Sequence, residues 1–280
     1  MPLFDPSALN EGVKKREVFG WAMYDFANSG YTTVVLTAVF NTYFVGVVAG
    51  NASWATLAWT LALALTSALV MLTMPALGAF ADLRAAKKRL LALTTIACVA
   101  TTLILALAGQ GDVALAVAAI VLSNLFYSYG ESLTAAFLPE LARREALGKV
   151  SGWGWSFGYC GGMLSLGLSL AYVLWAQGRG QPATQFVPVT MLITAGVYGL
   201  ASLATFALLR ERAVAQPGAA DGLTASLARL RQTWCEARRY RDFSWLLACA
   251  TAYQAGIAVV IALAAVYAEQ VLGFERAQTM

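Results

Sequence analysis

The sequence predicts an all-α, polytopic membrane helix bundle in which seven helices cross a lipid bilayer. Of the 280 residues, 59% are hydrophobic and 12% are charged, whereas a soluble domain carries about 25% charged residues. The apolar residues form seven long continuous runs rather than the alternating pattern of a membrane β-barrel. Seventeen of the 19 Lys and Arg residues lie on one side of those runs. We therefore expect the lipid bilayer to be a partner that surrounds the chain.

Each run is long enough to cross the hydrocarbon core, which takes about 20 residues of helix. The first run is longer than the apolar part of a cleaved signal sequence and is followed by further runs, so we expect it to stay in the protein. The predicted spans, numbered 1 to 7, are residues 18–48, 54–81, 90–108, 113–138, 153–176, 187–209 and 243–271.

The basic residues predict the orientation of the chain. They cluster before span 1 and in the loops that join spans 2 and 3, 4 and 5, and 6 and 7, whereas the opposite side holds only Arg179 and Arg276. Because basic loops stay in the cytoplasm, we expect a cytoplasmic amino terminus. The predicted domains are a cytoplasmic terminus at 1–17, a six-helix half at 18–209, a basic cytoplasmic linker at 210–242 and, at 243–280, the first helix of a truncated second half.

The linker contains a basic, amphipathic stretch at residues 223–241. Leu227, Leu230 and Trp234 follow one another at helical spacing there. This pattern predicts a helix that lies on the inner membrane face, with its Arg residues attracted to anionic lipid. A binding site for a partner protein is the alternative.

Several classes of site and partner are excluded or disfavoured. The chain contains no His, and none of its four Cys residues lies in a Cys-x-x-Cys pair, so we expect no metal and no cofactor. The basic residues do not form a face on a soluble fold, so nucleic acid is not an expected partner. Catalytic motifs such as Ser-x-x-Lys are absent from the sequence, which argues against an enzyme.

The loop between spans 2 and 3 has a glycine, an aspartate four residues later and then a basic cluster. The residues are Gly78, Asp82, Arg84, Lys87, Lys88 and Arg89. The arrangement resembles the signature loop of the major facilitator superfamily, although Ala85 and Ala86 stand where that signature has its second glycine. The resemblance implies that the first glycine lets helices approach closely and that the charges form a gating latch on the cytoplasmic side. An ordinary charged turn is the alternative.

Four further stretches narrow the resemblance to one branch of this superfamily. They are residues 21–30 (WAMYDFANSG), 137–140 (FLPE), 151–162 (SGWGWSFGYCGG) and 267–273 (YAEQVLG). They are similar to the vacuolar amino-acid effluxer (autophagy-related) branch of the superfamily, and the similarity covers nearly the whole chain. It implies a twelve-helix transporter, here in a bacterial inner membrane, with amino acids as a candidate substrate class. It also implies that about five helices are missing from this chain.

Asp25 and Glu131 are carboxyl groups inside apolar runs, where a charge is costly. Asp25 follows Arg16 by nine residues and Glu131 precedes Glu140 by nine, so both lie about 13 Å from the cytoplasmic ends of their helices. In the superfamily fold, spans 1 and 4 line the central cavity. The resemblance thus implies that both groups face one aqueous path, where they could bind protons or a cationic substrate group. Solvation from the cytoplasm, or hydrogen bonds to neighbouring polar residues, is the alternative.

Other polar residues within the spans are weaker candidates. Asn28 and Asn124 could bind substrate, but for these amides, as for Asn41 and Gln254, hydrogen bonds between helices are the default expectation. Tyr24 is a further candidate for substrate binding or proton coupling. An aromatic belt at the membrane interface would explain it equally well.

Span 5 contains glycines at a spacing of four, Gly154, Gly158 and Gly162. Such spacing favours close helix packing in membranes. The antiporter motif of the superfamily has Gly-Pro in span 5, whereas this chain has Cys160 in that region. The motif therefore gives no support for antiport.

The leading hypothesis is a secondary transporter of small solutes that works by alternating access between two six-helix halves, with protons as a candidate coupling ion. The chain would then need its missing sequence, a complementary half or a second copy of itself. The alternative is a membrane scaffold that does not transport.

Overall fold

The structure, a computed structural model, describes residues 6–213 and 240–273. Within those ranges the chain is mainly helical, and seven helices are long and apolar enough to cross a membrane. This confirms the predicted all-α membrane bundle. The helices run over Lys15–Val48, Ala55–Leu83, Lys87–Leu105, Val113–Ala135, Leu147–Gln177, Ala183–Leu208 and Arg241–Gln270.

Some helices extend beyond the predicted apolar runs. Span 5 begins at Leu147 rather than at residue 153, and span 3 begins at Lys87 rather than at residue 90. Polar residues continue a helix outside the hydrocarbon, since water there can solvate their side chains. Both extensions lie at the end of the bundle that carries the Lys- and Arg-rich loops, which is called the basic end below.

Span 1 is not a uniform α-helix. It is α-helical over Lys15–Gly30, widens to a π-helix over Tyr31–Ala38, and has a second π-helical stretch over Phe44–Val48. The Thr37 hydroxyl donates to the backbone oxygen of Thr32, five residues earlier, over 2.9 Å. π-Helical segments within a helix are frequent at functional sites.

Span 1 occupies the centre of the bundle and is the most buried of the seven. It packs along spans 5 and 6, while span 4 packs against spans 2 and 3. Its aromatic side chains fill the core, and Phe44 packs beside Trp59 of span 2 with the ring centroids 5.6 Å apart. Spans 2 and 5 expose large apolar side chains on their outer faces, for example Met71, Leu72 and Met163, as lipid contact requires.

The segment before span 1 is held to the loop after span 4. Leu9 and Ala142 form an isolated antiparallel bridge, and the backbone N–H of Arg143 donates to Ala8 over 3.0 Å. The chain entering span 1 is thereby tied to the end of span 4. The amphipathic stretch predicted at 223–241, with Leu227, Leu230 and Trp234, lies outside the described residues except at its last two positions.

Candidate functional site

Spans 1 and 4 lie against each other in opposite directions, and two hydrogen bonds define their register. Towards the basic end, the Trp21 indole N–H donates to the backbone oxygen of Thr134 over 2.9 Å. About three turns further along span 1, the Thr32 hydroxyl donates to the Tyr127 hydroxyl over 2.8 Å. Successive positions of span 1 therefore face positions of span 4 in reverse order.

This register places Asp25 and Glu131 at the same level of the bundle, between those two hydrogen bonds. Each carboxylate lies within about one helical turn of the hydrogen bond between Trp21 and Thr134. Asp25 is half-buried and Glu131 is exposed. Within the described ranges neither carboxylate accepts a hydrogen bond or pairs with Lys or Arg. The local hydrogen bonds considered as an alternative are thus not formed there.

Asn28 and Asn124 are further polar residues on the same two helices. Asn28 lies one turn after Asp25 on span 1, and Asn124 lies two turns before Glu131 on span 4. Asn28 is 5% and Asn124 8% exposed. Neither amide makes a side-chain hydrogen bond within residues 6–213 and 240–273, so the expected bonds between helices are not seen. The set Asp25, Asn28, Asn124 and Glu131 is called the polar strip below.

Tyr24 lies behind the polar strip, in the core of the bundle. Its side chain is fully buried, and its hydroxyl shares hydrogen bonds with Thr95 of span 3 at 3.1 Å and with Tyr198 of span 6 at 3.0 Å. A side chain on Gly130 would collide with that hydroxyl. Tyr24 therefore joins four helices, and it lies neither at a membrane interface nor on an accessible surface.

The gating-motif residues form part of an ionic network at the basic end. The Lys87 ammonium lies 2.9 Å from Asp82 at the end of span 2 and 3.0 Å from Glu140 after span 4. Lys87 is largely buried, whereas Asp82 is mostly exposed. The motif therefore ties the ends of spans 2, 3 and 4 together.

The residues that follow span 6 complete this network. Both carboxylate oxygens of Glu211 accept backbone N–H groups at the first turn of span 3, from Lys87 over 2.6 Å and from Lys88 over 3.1 Å. The Lys88 ammonium donates to the backbone oxygen of Leu209 over 2.6 Å. The start of the linker is thus held on the end of span 3, where a carboxylate satisfies free N–H groups and the helix dipole.

Arg212 connects the same network to span 1. Its guanidinium lies 2.7 Å from the carboxylate of Glu17, which is 1% exposed, and its backbone N–H donates to Glu140 over 3.3 Å. Glu17, Glu140, Glu211 and Arg212 could not be recognised as site residues from the sequence alone. The available signal was the presence of acidic residues at the ends of spans on an otherwise basic side.

Three motif positions lie outside the network. Nothing is found within 4 Å of the place where a side chain at Gly78 would begin, so no helix in the described part of the chain approaches it. The Arg84 guanidinium lies 4.7 Å from the centre of the Phe80 ring. Arg89 is exposed. Ala85 lies in the region where the superfamily signature has its second glycine. It has a φ of +49°, a conformation that glycine adopts without cost.

The span 5 glycines lie on span 1, next to the polar strip. Gly154 faces the Asp25 carboxylate and the Trp21 ring, Gly158 faces Ser29, and Gly162 faces Thr33. A further glycine makes the tightest approach of the series. A side chain on Gly161 would overlap the backbone carbonyl of Phe26. The four-residue spacing did not reveal Gly161, which lies one residue off that pattern.

In the described residues, seven membrane-length helices lie around a polar strip, with a charged motif at the loop ends, and they define an integral multi-pass membrane protein. The model of the family described as "Vacuole effluxer Atg22 like" matches residues 41–149 and 144–280, and the chain belongs to this family. It is also similar to the "Uncharacterized MFS-type transporter YxiO" of Bacillus subtilis (strain 168), with 29% identity over 254 residues, which are 88% of this chain and 59% of the relative. No solved structure matches the chain significantly.

Proposed function

We propose that the protein is part of a secondary transporter that moves small solutes by alternating access, coupled to protons through Asp25 and Glu131. One observation carries the proposal. Two carboxyl groups on facing helices lie at one level of a membrane bundle, without a basic partner within the described residues. Such a pair inside a membrane is made neutral by binding protons or a cationic group.

Amino acids are the proposed substrate class. The family description names an effluxer, and the polar strip offers groups for both ends of a zwitterion. A substrate ammonium would lie between Asp25 and Glu131, while the amides of Asn28 and Asn124, which lack side-chain partners in the described part, could donate to a substrate carboxylate.

The proposed setting is the inner membrane of a bacterium, with the basic end in the cytoplasm. The distribution of Lys and Arg supports this orientation. The network around Lys87 would then hold the cytoplasmic ends of spans 1 to 4 and the start of the linker as one body, which a rocking motion between two halves requires.

The chain spans 59% of the length of the relative it matches. In the proposed transporter, the rest of the second half comes from further sequence, a complementary half or a second copy of this chain. A scaffold without transport activity is the second candidate. Its supporting observation is span 7, whose side chains from Arg241 to Ile261 are exposed and offer a surface on which another membrane protein could pack.

Flux measurements in proteoliposomes test the proposal. The chain, with or without a co-reconstituted second half, would be assayed for amino-acid flux driven by an imposed pH gradient, alongside Asp25→Asn, Glu131→Gln and Glu145→Gln. Glu145 is an exposed loop carboxylate and serves as the matched control. We expect flux that is lost in Asp25→Asn and Glu131→Gln and kept in Glu145→Gln. Flux that survives both strip variants would refute proton coupling through these residues, and no flux from any correctly inserted form would favour the scaffold.

A further inference from the structure

Gly154 of span 5 lies beside the Asp25 carboxylate, and we propose that it is a positioning residue, whose missing side chain leaves the space that this carboxylate occupies. The inference rests on the proposed role of Asp25. A methyl group added at Gly154 would lie 2.5 Å from Asp25 Oδ2 and 2.8 Å from two ring atoms of Trp21. A non-bonded carbon atom approaches neither oxygen nor carbon that closely, so one of the two neighbours would have to move.

Trp21 is the neighbour that resists displacement. Its ring is 3% exposed, and its N–H donates to the backbone oxygen of Thr134 over 2.9 Å. Moving the ring would break a buried hydrogen bond and disturb a close-packed core. The Asp25 carboxylate accepts no hydrogen bond within the described residues and turns about two single bonds. An added methyl group at Gly154 therefore displaces the carboxylate.

Displacement of the carboxylate alters its electrostatic surroundings. Asp25 shares its level of the polar strip with Glu131, and the energy of two charges varies inversely with their separation and grows as water is excluded. A shift of about an ångström in that setting changes how readily Asp25 takes up a proton. Gly154 thus sets the pH range over which Asp25 exchanges its proton, in addition to its part in packing span 5 on span 1.

Two other glycines of span 5 provide matched controls. A methyl group at Gly158, one turn away on the same face, would lie 2.9 Å from Ser29 Oγ and 3.6 Å from Asp25 Cβ. It disturbs the same helix interface without reaching the carboxylate. At Gly152 nothing lies within 4 Å of the added carbon, so Gly152→Ala tests the effect of helix propensity alone.

Infrared titration of the purified chain in lipid nanodiscs tests the inference without requiring transport. The protonated Asp25 carboxyl group is identified as the band that disappears in Asp25→Asn. We expect Gly154→Ala to move the midpoint of this band by about 0.5 pH unit or more, which is a threefold change in proton affinity. In Gly158→Ala and Gly152→Ala the midpoint should equal that of the wild type. An unshifted midpoint in Gly154→Ala, an equal shift in Gly158→Ala, or no titrating band at all would overturn the inference.

A second variant covers the case in which Gly154→Ala does not fold. If the methyl group collides with the carboxylate, the double variant Gly154→Ala/Asp25→Ala removes the collision, and we expect it to recover the monodisperse elution profile of the wild type. A double variant that also fails to fold would show that Trp21 is the obstacle, and the inference would be wrong.

The flux assay separates this inference from the proposed function. Flux lost in Asp25→Asn together with an unshifted midpoint in Gly154→Ala would overturn the positioning role and leave the proposed function intact. A shifted midpoint together with flux unaffected by Asp25→Asn would overturn the proposed function and leave the positioning of Asp25 by Gly154 intact.

Discussion

The guanidinium of Arg212, the third residue of the linker, lies 2.7 Å from the buried carboxylate of Glu17 at the start of span 1. The pair connects two segments that are nearly 200 residues apart in the sequence. Because Glu17 is 1% exposed, its charge depends on this partner and on the backbone N–H of Lys14, which donates to it over 3.1 Å. The beginning of the linker is therefore part of the helix bundle.

Arg212→Ala is expected to destabilise the protein by about 2 kcal/mol, because it leaves the buried Glu17 charge without its partner while Arg212 itself is partly exposed. Thermal unfolding in detergent would measure the loss. Arg89→Ala, at an exposed basic position, is the control and should have the same unfolding temperature as the wild type. Equal unfolding temperatures for Arg212→Ala and Arg89→Ala would show that the pair contributes nothing.

Glu211→Ala is expected to loosen the first turn of span 3 by about 1 kcal/mol, because two backbone N–H groups lose their acceptor and the helix dipole loses a favourable charge. Hydrogen–deuterium exchange would detect faster exchange at Lys87 and Lys88. Glu145→Gln should leave these amides unchanged. Wild-type protection of both amides in Glu211→Ala would contradict the assigned capping role.

Ala85→Gly is expected to stabilise the protein by about 1 kcal/mol. Ala85 has a φ of +49°, which costs an L-residue with a side chain about 1–2 kcal/mol and costs glycine little. Ala86, with a φ of −118°, provides the neighbouring control, and Ala86→Gly should not stabilise. A lower unfolding temperature in Ala85→Gly would indicate that the methyl group contributes contacts worth more than the strain.

Gly161→Ala is expected to destabilise the packing of spans 1 and 5 by about 3 kcal/mol, because the new methyl group overlaps the Phe26 carbonyl and a backbone cannot rotate away as a side chain can. Gly167→Ala, where nothing lies within 4 Å of the added carbon, should be neutral or slightly stabilising. The comparison can be made by size-exclusion chromatography and thermal unfolding. A Gly161→Ala protein as stable as Gly167→Ala would show that the two helices separate easily.

Tyr24→Phe is expected to cost about 1 kcal/mol of stability through its lost hydrogen bonds to Thr95 and Tyr198, and to leave flux intact, since the side chain is fully buried. The flux assay proposed for Asp25→Asn provides the comparison. Loss of flux in Tyr24→Phe without loss of stability would place the Tyr24 hydroxyl on the transport path.

The sequence was sufficient to predict the number and approximate positions of the spans, because about 20 consecutive apolar residues have few structures available to them other than a membrane helix. Counting from the polar flanks also suggested that Asp25 and Glu131 share a level, and the register defined by Trp21 and Thr134 agrees with that estimate. Helix ends were less accurate, since polar residues continue a helix beyond the hydrocarbon.

The partners of individual side chains could not be predicted in this way. Glu211 and Lys87 are 124 positions apart, and no local pattern relates them. Gly161 falls outside the four-residue spacing, because the side of span 5 that meets span 1 depends on how the two helices cross.

Composition and charge distribution by themselves determined that this chain is a membrane helix bundle and predicted which end faces the cytoplasm, because the transfer of apolar and charged groups between water and lipid depends on local sequence alone. Only the tertiary structure decided that Tyr24 belongs to the core, that Asp25 lies against Gly154, and that Arg212 connects the ionic network at the basic end to Glu17. Those relationships arise when separate helices are packed together, and helix packing depends on shapes and distances that no single stretch of sequence contains.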